Sequence, residues 1–155
     1  MKAAVFSDTH SNTALMLEAV RRYRPDVIIH LGDHERDAER LRLDFPEIPL
    51  YVVCGNCDIG SQGLLADVVP LGPVKAYITN GHLYNVDWNV DSLVYAAQER
   101  GCQLALYGHT HRADYQEVGG VKVVNPGTAG QGRKLTWAWI QVFDNGGTSA
   151  EIRDL

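Results

Sequence analysis

The stretch Leu104-Ala105-Leu106-Tyr107-Gly108-His109-Thr110-His111-Arg112 runs from apolar residues through a glycine into two histidines. An apolar run this short, starting at Gln103 and ending at Tyr107, reads as a buried strand. Gly108 ends it and lets the backbone turn closely. In extended geometry the side chains of His109 and His111 point the same way, because they lie two residues apart. Neutral imidazole is the commonest metal ligand. A lone His-x-His is nevertheless more often hydrogen-bonded surface than a ligand pair. Its meaning depends on what the rest of the chain places at strand ends.

Toward the N-terminus the same grammar recurs. Lys2–Ser7 reads as a strand and runs into Asp8-Thr9-His10. Val27–Leu31 runs into Gly32-Asp33-His34, and Ile48–Val53 into Gly55-Asn56-Cys57-Asp58. Between them, Met16, Ala19, Val20 and Tyr23 follow helical spacing, with Asn12 as the expected cap and Pro25 as the stop. A second helix carries Ala38, Leu41 and Phe45 and stops at Pro46. This β-α-β-α-β order, with continuous apolar runs, predicts parallel strands covered on both faces.

The second half changes character. Asp67–Leu71 and Val74–Thr79 read as short strands around Gly72-Pro73, closed by Asn80-Gly81-His82. Asp91 or Ser92 is expected to cap a helix with Leu93, Ala96 and Ala97 inward and Gly101 beyond its end. Ala113–Val118 and Val121–Val124 form a hairpin on Gly119-Gly120, and a turn at Asn125-Pro126-Gly127 follows. Leu135–Phe143 and Thr148–Ile152 form a last hairpin around Asn145-Gly146-Gly147. Trp137, Trp139 and Phe143 fall on one side of its first strand, and Ala138, Ile140 and Val142 on the other. Both faces need cover, from a second layer or from another subunit, and the tryptophan face is the expected site of any self-association. The expected architecture is α/β: two mixed β-sheets packed as a sandwich flanked by helices, with residues 1–155 as one domain.

Composition narrows the function classes. A net charge of −5 argues against a nonspecific binder of nucleic-acid polymers or anionic membranes. No apolar stretch is long enough to span a bilayer, and the N-terminal run turns polar at Ser7-Asp8, too soon for a signal peptide. A cytoplasmic address is expected. Cys54, Cys57 and Cys102 are odd in number and imply no disulfide framework. Cys54-Gly55-Asn56-Cys57 formally matches a redox or zinc half-motif but has no second pair.

Collected from the strand ends, the polar groups are Asp8, His10, Asp33, Asn56, Asn80, His82, His109 and His111. In open α/β sheets ligands bind beyond the carboxyl ends of strands, so these loops can converge on one cleft. They exceed what one tetrahedral ion needs, and two ions sharing a carboxylate use them better. Mixed imidazole and carboxylate donors suit Mn²⁺, Fe²⁺ or Zn²⁺ rather than Mg²⁺ alone.

The order and spelling of Asp8-x-His10, Gly32-Asp33, Gly55-Asn56-x-Asp58, Gly81-His82 and Gly108-His109-x-His111 resemble the calcineurin-like metallophosphoesterase family. The chain looks most like its small stand-alone bacterial and archaeal phosphodiesterases. The resemblance spans Ser7 to the Asn125-Pro126-Gly127 turn. It implies a β-sandwich flanked by helices, and a dinuclear centre most suited to Mn²⁺, with Fe²⁺, Zn²⁺ or Ni²⁺ as alternatives. Asp8, His10 and His111 would hold the first metal, Asp33 would bridge, and Asn56 and His109 would hold the second, with Asn80 beside them. Two ions about 3.5–4 Å apart clamp phosphoryl oxygens and activate a water for in-line attack. Asp33, Asn56 and His82 are the candidate catalytic residues, and the expected substrate is a small phosphodiester or phosphate ester.

Two positions depart from the family. Larger relatives carry a histidine where this chain has Cys57, which serves a leaving group poorly. The family usually spells His-Gly-His where this chain has Asn80-Gly81-His82, so a weak second metal site is expected. His82 reads as a ligand substitute, a substrate contact or a loop residue. His30, inside an apolar strand, reads as a satisfied core residue, and His34 as solvated or packed behind the ligands. Two functional classes follow: a metal-dependent phosphodiesterase, and an interaction module on the same fold, as in a retromer-associated scaffold subunit similar to this family.

Overall fold

The computed structural model describes residues 1–155. The chain runs through β1 (Lys2–Phe6), α1 (Ala14–Tyr23), β2 (Val27–His30), α2 (Ala38–Asp44), β3 (Leu50–Val52), β4 (Ala66–Leu71) and β5 (Val74–Thr79). It continues through α3 (Asp91–Glu99), β6 (Leu104–Leu106), β7 (Asp114–Val118), β8 (Val121–Asn125), β9 (Thr136–Val142) and β10 (Thr148–Asp154). No helix is long and apolar enough to cross a membrane.

Two five-stranded sheets form, in the orders β10-β9-β1-β2-β3 and β4-β5-β6-β8-β7. Strands β1, β2 and β3 are parallel, with β3 at the sheet edge, and so are β5, β6 and β8. Antiparallel partners complete each sheet, which makes both mixed. The expected sandwich of two mixed sheets is therefore the observed one.

Strand alternation explains the layering. On β1, Ala3 and Val5 enter the core between the sheets with Ile29, Ile78, Leu104, Leu106 and Ile140. Ala4 and Phe6 point the other way, under Met16 and Val20 of α1 and Leu41 of α2. Tyr77, Ala105 and Val123 on the outer face of the second sheet lie under Leu93 and Ala97 of α3. Each such valine, leucine, isoleucine, methionine or phenylalanine stabilises by roughly 1.5–3 kcal/mol on burial, and the folded state draws on three apolar layers.

Several local expectations are corrected. The face carrying Trp137 and Trp139 is closed within the chain: Tyr23 packs on both rings at 5.0 and 5.8 Å, and the Arg153 guanidinium lies 5.7 and 5.2 Å from them. Both tryptophans are buried, so of the two sources of cover expected for this face the chain itself supplies one, while Phe143 on the same side is exposed. Asn12 does not cap α1; Thr13 precedes the helix and the Asn12 amide donates to the Gly130 carbonyl. Neither Asp91 nor Ser92 caps α3; Asn89 Oδ1 accepts the Asp91 N–H instead. Pro25 and Pro46 end α1 and α2 as expected, because the residue before proline is driven out of helical geometry.

Candidate metal centre

β1 and β2 each end one residue before the expected runs Lys2–Ser7 and Val27–Leu31, and left-handed backbone follows at Asp8 and Asp33. Of nine non-glycine residues with positive φ, seven lie in three loops: Asp8, His10 and Ser11; Asp33 and His34; His109 and His111. Each left-handed residue costs of order 1 kcal/mol and persists only where its surroundings over-determine it. Here side chains tie the loops down. Asp58 accepts the N–H groups of His34, Glu35 and Gly55 at 2.8, 2.8 and 2.7 Å. The Thr128 hydroxyl donates to the Asp8 carbonyl at 2.9 Å, and the Asn125 amide donates to the Gly108 carbonyl at 2.9 Å.

Two glycines let these loops touch. A Cβ on Gly55 would collide with Asp33 Oδ1 and with the Asn80 amide. One on Gly108 would collide with the Ser7 hydroxyl and approach Asp8 Oδ2. Both glycine blocks read from the sequence therefore serve close approach of backbone to carboxylate.

The loops bring Asp8, His10, Asp33 and His111 together, with one ligand atom from each inside a 4.8 Å cluster. His10 Nε2 and His111 Nε2 lie 3.3 Å apart. Asp8 and Asp33 are buried, at 0% and 2% exposure, whereas the two imidazoles reach partly into solvent. Asp33 Oδ1 accepts the Cys57 N–H at 3.0 Å, and Asp8 Oδ2 accepts the His109 N–H at 3.2 Å. Asp8 Oδ1 has no hydrogen-bond partner; His111 Nε2 is 3.2 Å away but poorly aligned.

That arrangement is costly without a cation. Burial, and then the neighbouring Asp33, push the Asp8 carboxyl up to about 8. Burial and the adjacent His10 lower the His111 imidazole below its ordinary value, which favours the neutral, ligating form. Two carboxylates, two imidazoles and one orphaned buried oxygen fit a divalent transition ion.

The remaining expected residues sit next to this cluster. Asn56 Oδ1 and His109 Nδ1 are 2.9 Å apart, and His109 Nε2 faces Asp87 Oδ2 at 3.1 Å. Asn80 is buried; its amide donates to the Leu31 carbonyl at 3.0 Å, and its oxygen faces His82 Nδ1 at 3.2 Å. The His82 ring lies 6.3 Å from that of His109, and burial, followed by His109, lowers its pKa. Cys57 is exposed; desolvation and then the Asp33 carboxylate raise its pKa, so it stays a thiol.

His30 is a satisfied core residue as expected: Nε2 meets the Thr9 hydroxyl at 3.2 Å and Nδ1 accepts the Gly32 N–H at 3.3 Å. His34 packs against the His10 ring, with centroids 4.9 Å apart, and meets Ser11 Oγ through Nδ1. Sequence reasoning missed Asp87, Asn125 and Thr128 and the role of Asp58. Asp58 stands inside the Gly55-Asn56-Cys57-Asp58 block, but two of its three donors, His34 and Glu35, lie 24 and 23 residues upstream, where no local pattern marks them. Asp87 had no local signal, since nothing nearby in the chain marks its partner 22 residues away.

A family model described as the calcineurin-like phosphoesterase superfamily domain matches residues 1–144. The chain belongs to the calcineurin-like phosphoesterase family. This phosphoesterase is 28% identical to the probable metallophosphoesterase YsnB of Bacillus subtilis over 130 residues, covering 83% of this chain and 75% of that protein. It is 27% identical over 149 residues to phosphodiesterase MJ0936 of Methanocaldococcus jannaschii, covering 82% of this chain and 83% of the relative. Wild-type Vps29 of Entamoeba histolytica, solved with zinc, aligns with a TM-score of 0.79 over 99% of each chain at 18% identity, and so shares the fold.

Proposed function

We propose that this phosphoesterase hydrolyses small phosphodiesters with divalent transition ions, Mn²⁺ foremost and Fe²⁺, Zn²⁺ or Ni²⁺ as alternatives. The observation that carries the reading is the convergence of Asp8, His10, Asp33 and His111 around a buried, unpartnered Asp8 Oδ1. These four would hold one ion. Asn56 and His109, sharing Asp33, would hold a second, with Asn80 as a weak neutral donor. Such ions polarise a phosphoryl oxygen and lower the pKa of water.

The chain's own residues do the positioning. The Cys57 N–H orients Asp33, and the His109 N–H orients Asp8. His82, held by Asn80 beside His109, is placed to contact a substrate oxygen. With a protonated thiol at Cys57, activity favours esters with good leaving groups. The archaeal relative's name, a phosphodiesterase, supports the diester preference. A net charge of −5 supports a small substrate over a nucleic-acid polymer or a membrane surface.

The test is hydrolysis of bis-p-nitrophenyl phosphate with Mn²⁺, alongside Asp33→Ala. Loss of a ligand that fixes charge at the reacting centre is expected to cost at least about 100-fold in rate. Equal rates in the two proteins would instead support an interaction module, which the occupied Asn80 amide and the Vps29-like fold favour.

A further inference from the structure

Two cavities that share no residue flank the ligand cluster. The larger, about 450 Å³, is bounded by Asp87, Tyr107, Thr110, Arg112 and Asp114. One stretch of chain joins it to the centre: His111 belongs to the ligand cluster, while Thr110 and Arg112 on either side of it line the cavity. Asp87, which also lines the cavity, meets His109 Nε2 at 3.1 Å.

The charges and hydrogen-bonding groups of this cavity are mixed. Arg112 is exposed, and none of the chain's ion pairs uses it. Asp87 Oδ2 faces His109, and Asp114 Oδ2 accepts from Gln116 at 2.7 Å and from the Tyr107 hydroxyl at 3.5 Å. Each carboxylate keeps its second oxygen as an acceptor. Thr110 Oγ1 accepts from the Asn125 amide and the Arg112 N–H, so its own proton is left to donate. A cationic group entering here meets Arg112, and an anionic group meets Asp87 and Asp114. Hydroxyls, which donate and accept together, match carboxylate oxygens, guanidinium N–H groups and the Thr110 proton at once. Val86 and the Tyr107 ring offer carbon surface to a C–H face.

We propose that this cavity binds a neutral, hydroxyl-rich ester arm of the substrate, such as a glyceryl or sugar group, and that Arg112 and Asp114 select it. The assignment rests on the phosphodiester reading above. It is tested by calorimetry on the full chain loaded with Mn²⁺, using methylphosphonate esters with glyceryl, propyl, cholinyl or 2-phosphoethyl arms, whose poor alkoxide leaving groups keep turnover slow over a titration, with arm release followed in parallel. The glyceryl ester is expected to bind about tenfold more tightly than the propyl ester, the worth of one or two net hydrogen bonds. Neither charged arm is expected to exceed propyl. Arg112→Gln, on an exposed loop where folding is not at risk, is expected to reduce the glyceryl-to-propyl ratio to about threefold or less, as is Asp114→Asn. Equal affinities for glyceryl and propyl, a preference for either charged arm, no binding of any ester, or an unchanged ratio in Arg112→Gln would overturn the assignment. Failure to hydrolyse bis-p-nitrophenyl phosphate overturns the phosphodiesterase reading alone; hydrolysis without an arm preference overturns the cavity assignment alone.

Discussion

His10 and His111 stand 101 residues apart in the chain, and their Nε2 atoms face each other at 3.3 Å. Two ring nitrogens this close, beside two buried carboxylates, are arranged for a shared cation. His111→Ala removes one donor from a partly exposed position, so folding survives. Mn²⁺ affinity is expected to fall at least about tenfold, read by calorimetry. An unchanged affinity would show that His111 is not a ligand.

The raised Asp8 carboxyl, at about 8 against an ordinary 3.8, ties metal uptake to pH. In the metal-free protein the folded state holds a proton that the unfolded chain releases above its ordinary value. This contribution is therefore fully present below pH 3.8 and is lost as pH rises through about 8. A bound divalent ion displaces the proton. Metal addition near pH 7 is expected to release protons, measured by calorimetry in buffers of different ionisation enthalpy, and to raise Tm more at pH 8.5 than at pH 6.

His30 acts with the opposite sign. Burial lowers its pKa to about 4 from 6.5, so the unfolded chain binds the extra proton between those values. Stability contributed by neutral His30 is complete above pH 6.5 and declines as pH falls toward 4, by up to about 3 kcal/mol. Urea titrations of the metal-loaded protein across this window, compared with His30→Gln, isolate the effect. A variant retaining the full acid slope would assign it to another group.

Asp58 holds three backbone N–H groups of two loops. Asp58→Ala leaves them without an acceptor and is expected to cost about 2–4 kcal/mol of unfolding free energy. It should also weaken Mn²⁺ binding, because Asp33 lies in the first of those loops and accepts the Cys57 N–H of the second. Thermal unfolding and metal titration on one preparation read both effects.

Asn80→His places an imidazole where a neutral amide now bridges Leu31 and His82. Metal content and turnover are both expected to rise, by elemental analysis and bis-p-nitrophenyl phosphate hydrolysis. Two ions already bound by the unmodified chain at low micromolar metal would remove the premise of a weak second site.

Short-range pattern was enough to read the strands, the helices and the polar blocks at their ends. Alternation, helical spacing, proline stops and glycine turns all act within a few residues, so Gly32-Asp33 and Gly108-His109-x-His111 were legible where they stand. Contacts between distant segments were settled only by packing. The cover over Trp137 and Trp139 comes from Tyr23, more than a hundred residues upstream, and from Arg153 on the neighbouring strand. Asp87 meets His109 across 22 residues, and Thr128 ties down Asp8 across 120. Local order carries no term for such pairings; they arise when two sheets bury their apolar faces together and bring the strand ends into one place.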